Sequence, residues 1–388
     1  MYTLLLAVIY LAFISLGLPD SLLGSAWPVM QQEFAVPLSY AGMVTMIISG
    51  CTILSSLCSE RMTHRLGTRA VTVASVLLTA VSLLGFSTAS AFWMLCLWAV
   101  PYGLGAGAID AALNNYVALH YSSRQMSWLH CFWGVGTIIS PYIMSLSLTR
   151  SGWQSGYRTV SLIQFGIVAV LLLTLPLWKA HKPTDAGKPE PQAEVLGLRR
   201  ALRIRGVPFL LTGFFAYCAA ESTVGLWASS YLVSARQVSE EMAAAFGSLF
   251  YIGITAGRFL AGLVSDRLGD RRLIRIGACV GAAGILCLLL PSPADWPALG
   301  GLIIIGLGFA PIYPCIIHST PHNFGAENSQ AIIGIQMASA YIGSTFMPPL
   351  FGLLANHISI RLLPFFLAVF VLLMVWMLER TNRAVSHR

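Results

Sequence analysis

Apolar residues run along this chain in long blocks, separated by short gaps rich in polar residues, Gly or Pro. An α-helix needs roughly 20 mostly apolar residues to cross the hydrocarbon core of a bilayer. Twelve blocks meet that length and predict spanning helices over about 3–28, 40–60, 69–88, 92–119, 126–148, 157–178, 207–233, 242–264, 273–291, 296–318, 328–355 and 360–378. Gly and Pro recur inside the blocks, which membrane helices tolerate when neighbours satisfy the freed backbone groups. The expected fold class is an all-α polytopic membrane protein with 12 transmembrane helices.

Composition sharpens this picture. Of 388 residues, 56% are hydrophobic and 10% charged, with a mean hydropathy of +0.75. A soluble domain carries about a quarter charged residues, so this chain has too few to coat a water-facing surface. Disorder is excluded too, because it needs low hydrophobicity and high net charge. The net charge of +8 could suggest nucleic acid, but the basic residues sit in gaps between apolar runs rather than on one patch. The eight cysteines all lie inside apolar runs without metal-ligand or disulfide spacing. No metal site, cofactor motif, P-loop or nucleophile–base constellation is recognisable, so neither an enzyme nor a primary pump is expected. The first block lacks a positive flank and continues through Pro19 and Asp20 toward Trp27, which predicts a retained helix rather than a cleaved signal peptide.

The basic residues set an orientation. With the N-terminus in the cytoplasm, 18 of the 23 Lys and Arg fall on the cytoplasmic side and four on the other, while Arg258 falls inside a span. The positive-inside rule then puts both termini in the cytoplasm, in a multi-pass plasma membrane protein. The longest polar stretch, rich in Pro and charge, reads as a linker. The chain divides into a six-helix bundle over 1–178, a cytoplasmic linker over 179–206, and a second bundle with a short tail over 207–388.

The two halves repeat each other. Asp20-Ser21-Leu22-Leu23-Gly24 with Trp27 matches Glu221-Ser222-Thr223-Val224-Gly225 with Trp227. Gly103-Leu104-Gly105 with Asp110 matches Gly306-Leu307-Gly308 with Tyr313, and Gly136 to Pro141 matches Gly343 to Pro348. Arg65-Leu66-Gly67-Thr68-Arg69 matches Arg267-Leu268-Gly269-Asp270-Arg271. Paired repeats in this order are a sign of transporter architecture.

The segment Gly262-Leu263-Val264-Ser265-Asp266-Arg267-Leu268-Gly269-Asp270-Arg271-Arg272 resembles the loop between the eighth and ninth helices of major facilitator superfamily transporters. In the first-half copy His64 stands where the family's Asp would fall, with Glu60 one turn earlier. Gly107-Ala108-Ile109-Asp110-Ala111-Ala112-Leu113-Asn114, His130-Cys131-Phe132-Trp133-Gly134 and Glu221 to Trp227 are similar to the fucose permease-like branch. The resemblance implies two pseudosymmetric bundles rocking around a central cavity, acting as a sugar:proton symporter.

Three carboxylates fall deep inside spans: Asp20, Asp110 and Glu221. A charge at the bilayer centre costs about 2.5–3.5 kcal/mol or more on insertion scales, so an acid there carries a functional expectation. Burial disfavours the charged form of a carboxylate, which suits such a group to taking up and releasing a proton. Asp110 is the leading candidate for coupling, sharing a helix face with Asn114 at i+4; Asp20 and Glu221 are candidates for coupling or for structural bonds between helices.

Asn114, Asn115, Gln164 and Gln336 are amides suited to hydroxyl-rich ligands, and Trp27, Trp133, Trp227 and Tyr313 could stack on a solute or simply pack. His130 joins them as a substrate contact or a packing residue. Arg258, Asp266, Arg267 and Arg271 are expected to form a gate-side charge network. The expected partners are a small solute, a proton or sodium ion and the lipid bilayer, without nucleic acid, for a monomeric chain. Export of an amphipathic compound and a non-transporting receptor are the competing functions.

Overall fold

The computed structural model describes residues 2–37, 39–179, 195–290 and 295–386. Among these residues the secondary structure is helical, without a strand. The first half holds α1 (Tyr2–Gly17), α2 (Leu22–Glu33), α3 (Tyr40–Leu66), α4 (Thr68–Ser87), α5 (Phe92–His120), α6 (Ser123–Arg150), α7 (Trp153–Leu173) and the short α8 (Leu175–Lys179). The second holds α9 (Gly197–Arg203), α10 (Val207–Arg236), α11 (Glu240–Leu268), α12 (Asp270–Leu289), α13 (Trp296–Phe309), α14 (Ile312–Phe324), α15 (Ala326–His357) and α16 (Leu363–Val385).

Each predicted span falls on helix, and three are interrupted. The first breaks at Leu18–Ser21 into α1 and α2, the sixth steps at Thr174, and the tenth breaks at Ala310–Pro311 into α13 and α14. Proline accompanies all three breaks, since Pro19, Pro176 and Pro311 lack the N–H that an uninterrupted helix requires. Among the described residues ten segments are apolar and long enough to cross a membrane; α11 and α15, of 29 and 32 residues, occupy the other two predicted spans. The sequence of α15 is diluted by Gln330, Gln336, Ser339, Tyr341 and Ser344. Of the linker expected over 179–206, residues 180–194 lie outside the described residues. Its end is helical as α9, where a loop is expected.

Contacts divide the chain into two compact units. Unit 1 comprises Met1–Tyr116 and Phe132–Gly197; unit 2 comprises Val117–Cys131 and Leu198–Arg388. The end of α5, the start of α6 and the connection joining them therefore pack with unit 2. In unit 1 the core gathers Leu22, Trp27, Met30, Leu83, Phe86, Tyr102, Trp153 and Tyr157.

Small residues bring the helices of unit 1 close together. A Cβ on Gly103 or Gly107 would overlap the carbonyl of Ile48 or Thr52 on α3, and one on Gly105 would lie 2.9 Å from Ser75 O on α4. The hydroxyls of Thr52 and Ser55 donate to Gly103 O at 3.1 Å and Leu104 O at 2.5 Å. The glycine run in α5 is thus a packing seam, as membrane helices use small residues.

Two repeated glycines share a special backbone conformation. Gly67, between α3 and α4, has φ +77°, and Gly269, between α11 and α12, has φ +75°. Only glycine adopts this region without a steric penalty. The Arg-Leu-Gly repeat therefore encodes the same helix-to-helix turn in each unit.

Candidate functional site

In unit 1 the break between α1 and α2 presents Asp20. Its position is set by a glycine crossing: a Cβ on Gly17 would overlap the Trp133 carbonyl of α6, and one on Gly136 would lie 2.5 Å from Ile14 O. With the backbones in contact, Trp133 Nε1 donates to Asp20 Oδ2 at 2.9 Å. From α5, Tyr102 Oη donates to Asp20 Oδ1 at 3.2 Å. Next to it, Ser21 Oγ donates to Thr137 O at 3.1 Å and anchors the start of α2 on α6. Asp20 is nevertheless exposed, while Tyr102 is buried. The result is an accessible carboxylate held by two neutral donors.

The other acid of unit 1 differs. Asp110 is buried, and Asn114 Nδ2 donates to its Oδ1 at 2.8 Å and to its backbone oxygen at 3.0 Å. The expected i, i+4 pair therefore forms, but as a bond within one helix in the interior. Asn115 is buried beside it in sequence. Gln164 bridges α7, α1 and α4: its Nε2 donates to Ser15 O at 2.7 Å, and its Oε1 accepts from Thr79 Oγ1 at 3.0 Å. Trp27 lies in the core with its ring edge-on to Phe92 at 6.3 Å. Gln164 and Trp27 are packed groups here, which departs from their expected solute contact.

In unit 2 the intramembrane acid is paired with a cation. Arg258 Nη2 lies 3.2 Å from Glu221 Oε1, with the side chains 4% and 20% exposed. Arg258 thus departs from the gate-side charge network expected for it with Asp266: eight residues along one helix separate the two by about 12 Å, beyond direct contact. Asp266 instead pairs with Arg124 at 3.1 Å, and Arg271 Nη2 donates to Asn323 Oδ1 at 3.3 Å, while Arg267 is exposed.

Aromatic rings stand beside the Glu221–Arg258 pair. Phe214, Tyr217 and Glu221 fall at i, i+3 and i+7 on α10, on one face. Tyr217 Oη donates to Phe309 O at 3.0 Å. The half-buried Tyr313 ring meets Phe214 at 4.8 Å and the His130 ring at 4.8 Å. Trp227 Nε1 donates to Pro348 O at 2.9 Å, anchoring α10 to the proline step of α15. Gln336 is buried and accepts from Thr320 Oγ1 at 3.0 Å.

The structure therefore brings Asp20 together with Trp133 in unit 1, and Glu221, Arg258, His130 and Tyr313 together in unit 2. Tyr102 and Tyr217 are the partners that the sequence reading missed. Each is a tyrosine inside an apolar span, where the hydroxyl needs a buried partner, and that was the available signal. Among the described residues no cluster of His, Cys, Asp and Glu could hold a metal ion.

Long apolar helices, a proline-broken span and carboxylates inside the bundle define a multi-pass membrane transporter of small solutes. The chain belongs to the Major Facilitator Superfamily, whose family model matches residues 9–329 and 210–387. It is 27% identical over 368 residues to the membrane protein MosC of Rhizobium meliloti, covering 91% of this chain and 85% of that protein. Among solved structures it is similar to the proton:xylose symporter XylE, with a TM-score of 0.79 and 14% identity over 96% of this chain and 94% of that one. It is also similar to the E. coli fucose:proton symporter FucP, with a TM-score of 0.76 and 18% identity over 97% and 99% of the two chains. At these identities the structural likenesses define the fold.

Proposed function

We propose that this protein is a proton-coupled symporter of a small neutral polar solute, such as a monosaccharide, with Asp20 as the principal coupling group. The observation that carries this reading is the accessible Asp20 carboxylate held, among the described residues, by the neutral donors Tyr102 and Trp133. Ionised, it accepts hydrogen bonds from both donors and from a solute hydroxyl; protonated, it donates one. Because no cation faces it in this pairing, gaining a proton leaves no buried charge uncompensated. That separates it from Glu221, whose protonation would strand Arg258.

In this reading residues 1–178 and 207–388 form two bundles that move about a central solute site, with both termini and the 179–206 linker in the cytoplasm. Trp133, Tyr313 and His130 contact the solute, while Asp110 with Asn114 and Asn115 stiffens α5 beside it. Asp266, Arg267 and Arg271 belong to the cytoplasmic gate together with Arg124. One chain carries all of these groups, so the monomer is the working unit. That XylE is a proton:xylose symporter and FucP a fucose:proton symporter supports the proton-coupled reading.

A second reading has a specific observation behind it. Arg258 and the Phe214–Tyr313–His130 ring group would suit an aromatic carboxylate that takes the place of Glu221 on the guanidinium.

Proteoliposomes holding a pH-sensitive dye distinguish the two. Addition of xylose, fucose, glucose or benzoate to the outside is followed by internal acidification for a symported solute. Benzoate is scored as the excess over protein-free vesicles, because neutral benzoic acid crosses a bilayer unaided; protein-dependent acidification with a sugar and not with benzoate supports the first reading, and the opposite result supports the second. Silence with every solute in a panel of sugars and organic acids contradicts both.

A further inference from the structure

Three elements of unit 2 converge on the side chain of His318. The α5–α6 connection brings the Tyr121 carbonyl, α12 brings Asp270 at its first residue, and His318 itself stands on α14. Its Nε2 lies 3.1 Å from Tyr121 O, and its Nδ1 lies 2.6 Å from Asp270 Oδ2. A carbonyl oxygen can only accept, so Nε2 carries a hydrogen. With that tautomer fixed, a neutral ring would turn the Nδ1 lone pair toward a carboxylate lone pair at bonding distance. A proton must therefore lie between Nδ1 and Oδ2, whether as imidazolium and carboxylate or as neutral ring and carboxylic acid.

The surroundings support a defined site. The His318 and Asp270 side chains are 21% and 14% exposed. Ser123 Oγ, from the first residue of α6, donates to the other oxygen of Asp270 at 2.5 Å. The remaining charge acting on His318 from a packed element is Asp266 of α11, which is itself paired with Arg124 at 3.1 Å. Cys315, one turn before His318, is fully buried with its sulfur 3.9 Å from Ser123 Oγ.

We propose that His318 and Asp270 form a proton-binding pair that holds the α5–α6 connection on unit 2 while occupied and releases it when the proton leaves. The pair lies apart from the intramembrane acids discussed above, and it rests on the transport reading only for its place in a transport cycle. The sign follows from the hydrogen bonds. Loss of the proton replaces the Nδ1–Oδ2 bond with lone-pair repulsion, so rising pH favours release. A one-proton step changes the ratio of released to held states by at most about tenfold per pH unit.

Cys315 provides the reporter, because its burial ends when the connection lifts away. In the full-length protein with Cys315 as sole cysteine, in lipid vesicles, the rate of alkylation by N-ethylmaleimide is measured from pH 6 to pH 9. Native His318 is compared with His318→Lys, which keeps a cation against Asp270 throughout, and with His318→Asn, which carries no titrating proton. A charge introduced one turn from Cys315 scales its thiolate fraction, but while the thiol stays mostly protonated each protein has the same tenfold slope per pH unit, so thiolate formation leaves the pH dependence of the ratios unchanged. The expected result is a native-to-Lys rate ratio that rises several-fold with pH, and a native-to-Asn ratio lowest at acid pH. Ratios that stay constant across the range overturn the proposal. The native protein decides alone where a variant fails to fold, since a slope no steeper than the tenfold per unit of thiolate formation also overturns it. The labelling needs no solute, so failure of the symport reading leaves it intact.

Discussion

Asp20 and Glu221 occupy matching places in the two copies of one sequence pattern, an acid followed by Ser, two residues, Gly and Trp, yet their environments diverge. In unit 1 the helix breaks at Pro19, and the carboxylate accepts from Tyr102 and Trp133 while remaining exposed. In unit 2 α10 runs unbroken from Val207 to Arg236, and Glu221 faces the buried Arg258. An acid among neutral donors is free to change its charge. One paired with a buried cation would leave that cation uncompensated on gaining a proton. On the proposed reading, the two copies of the motif keep the acid in both halves and divide its uses, titration in one and charge balance in the other.

Breaking the unit 2 pair tests this division most severely. Arg258→Gln leaves Glu221 without its cation and is expected to destabilise the protein by about 3–5 kcal/mol. Thermal unfolding in detergent measures it, and adding Glu221→Gln to that variant should recover much of the loss. No recovery would mean that the two side chains are not energetically coupled.

The glycine crossing that sets Asp20 comes next. Gly17→Val drives a side chain into the Trp133 carbonyl, and overpacking of this kind costs about 1–3 kcal/mol. Uptake should fall along with stability, because Asp20 and Trp133 move apart. Normal uptake in a stably folded Gly17→Val would show that their contact is dispensable.

Gln164→Ala sharpens the contrast between packing and solute contact. It leaves Ser15 O without its buried donor, at about 1–3 kcal/mol, while Thr79 Oγ1 keeps its bond to Val76 O. The solute concentration for half-maximal uptake should stay at the native value, and a large rise in it would return Gln164 to the solute site. The smallest change is Tyr102→Phe, which removes one of two donors to Asp20 and should cost about 0.5–1.5 kcal/mol. Proton-driven uptake should persist in that variant, read from the same vesicle assay.

The helices were legible because long apolar blocks and the bilayer thickness leave few alternatives, and the break at Pro19 was foreshadowed by the proline itself. The repeat was legible as well, down to the turns at Gly67 and Gly269. Partner choice was not. Arg258 shares a helix with Asp266 and reads as its neighbour, yet helix rise separates them and the bond goes to Glu221, 37 residues away. Asp110 led the sequence reading because an intramembrane acid one turn before an Asn suggests a coupling pair. Asp110 is buried on a helix whose Gly103–Gly107 seam docks on α3 and α4, and no local pattern states that docking. Gln164 read as a ligand amide, but its bonds reach Ser15 and Thr79 across the bundle. Contacts between distant segments decide which polar residues are consumed by packing and which stay available.

The central claim is that Asp20 carries the coupled proton, and one pair of assays on Asp20→Asn addresses it. In proteoliposomes, a solute that acidifies the native interior should enter the Asp20→Asn protein by exchange against the same solute preloaded inside, yet produce no internal acidification and no accumulation under an imposed pH gradient. Internal acidification and accumulation at native levels in Asp20→Asn would contradict the account.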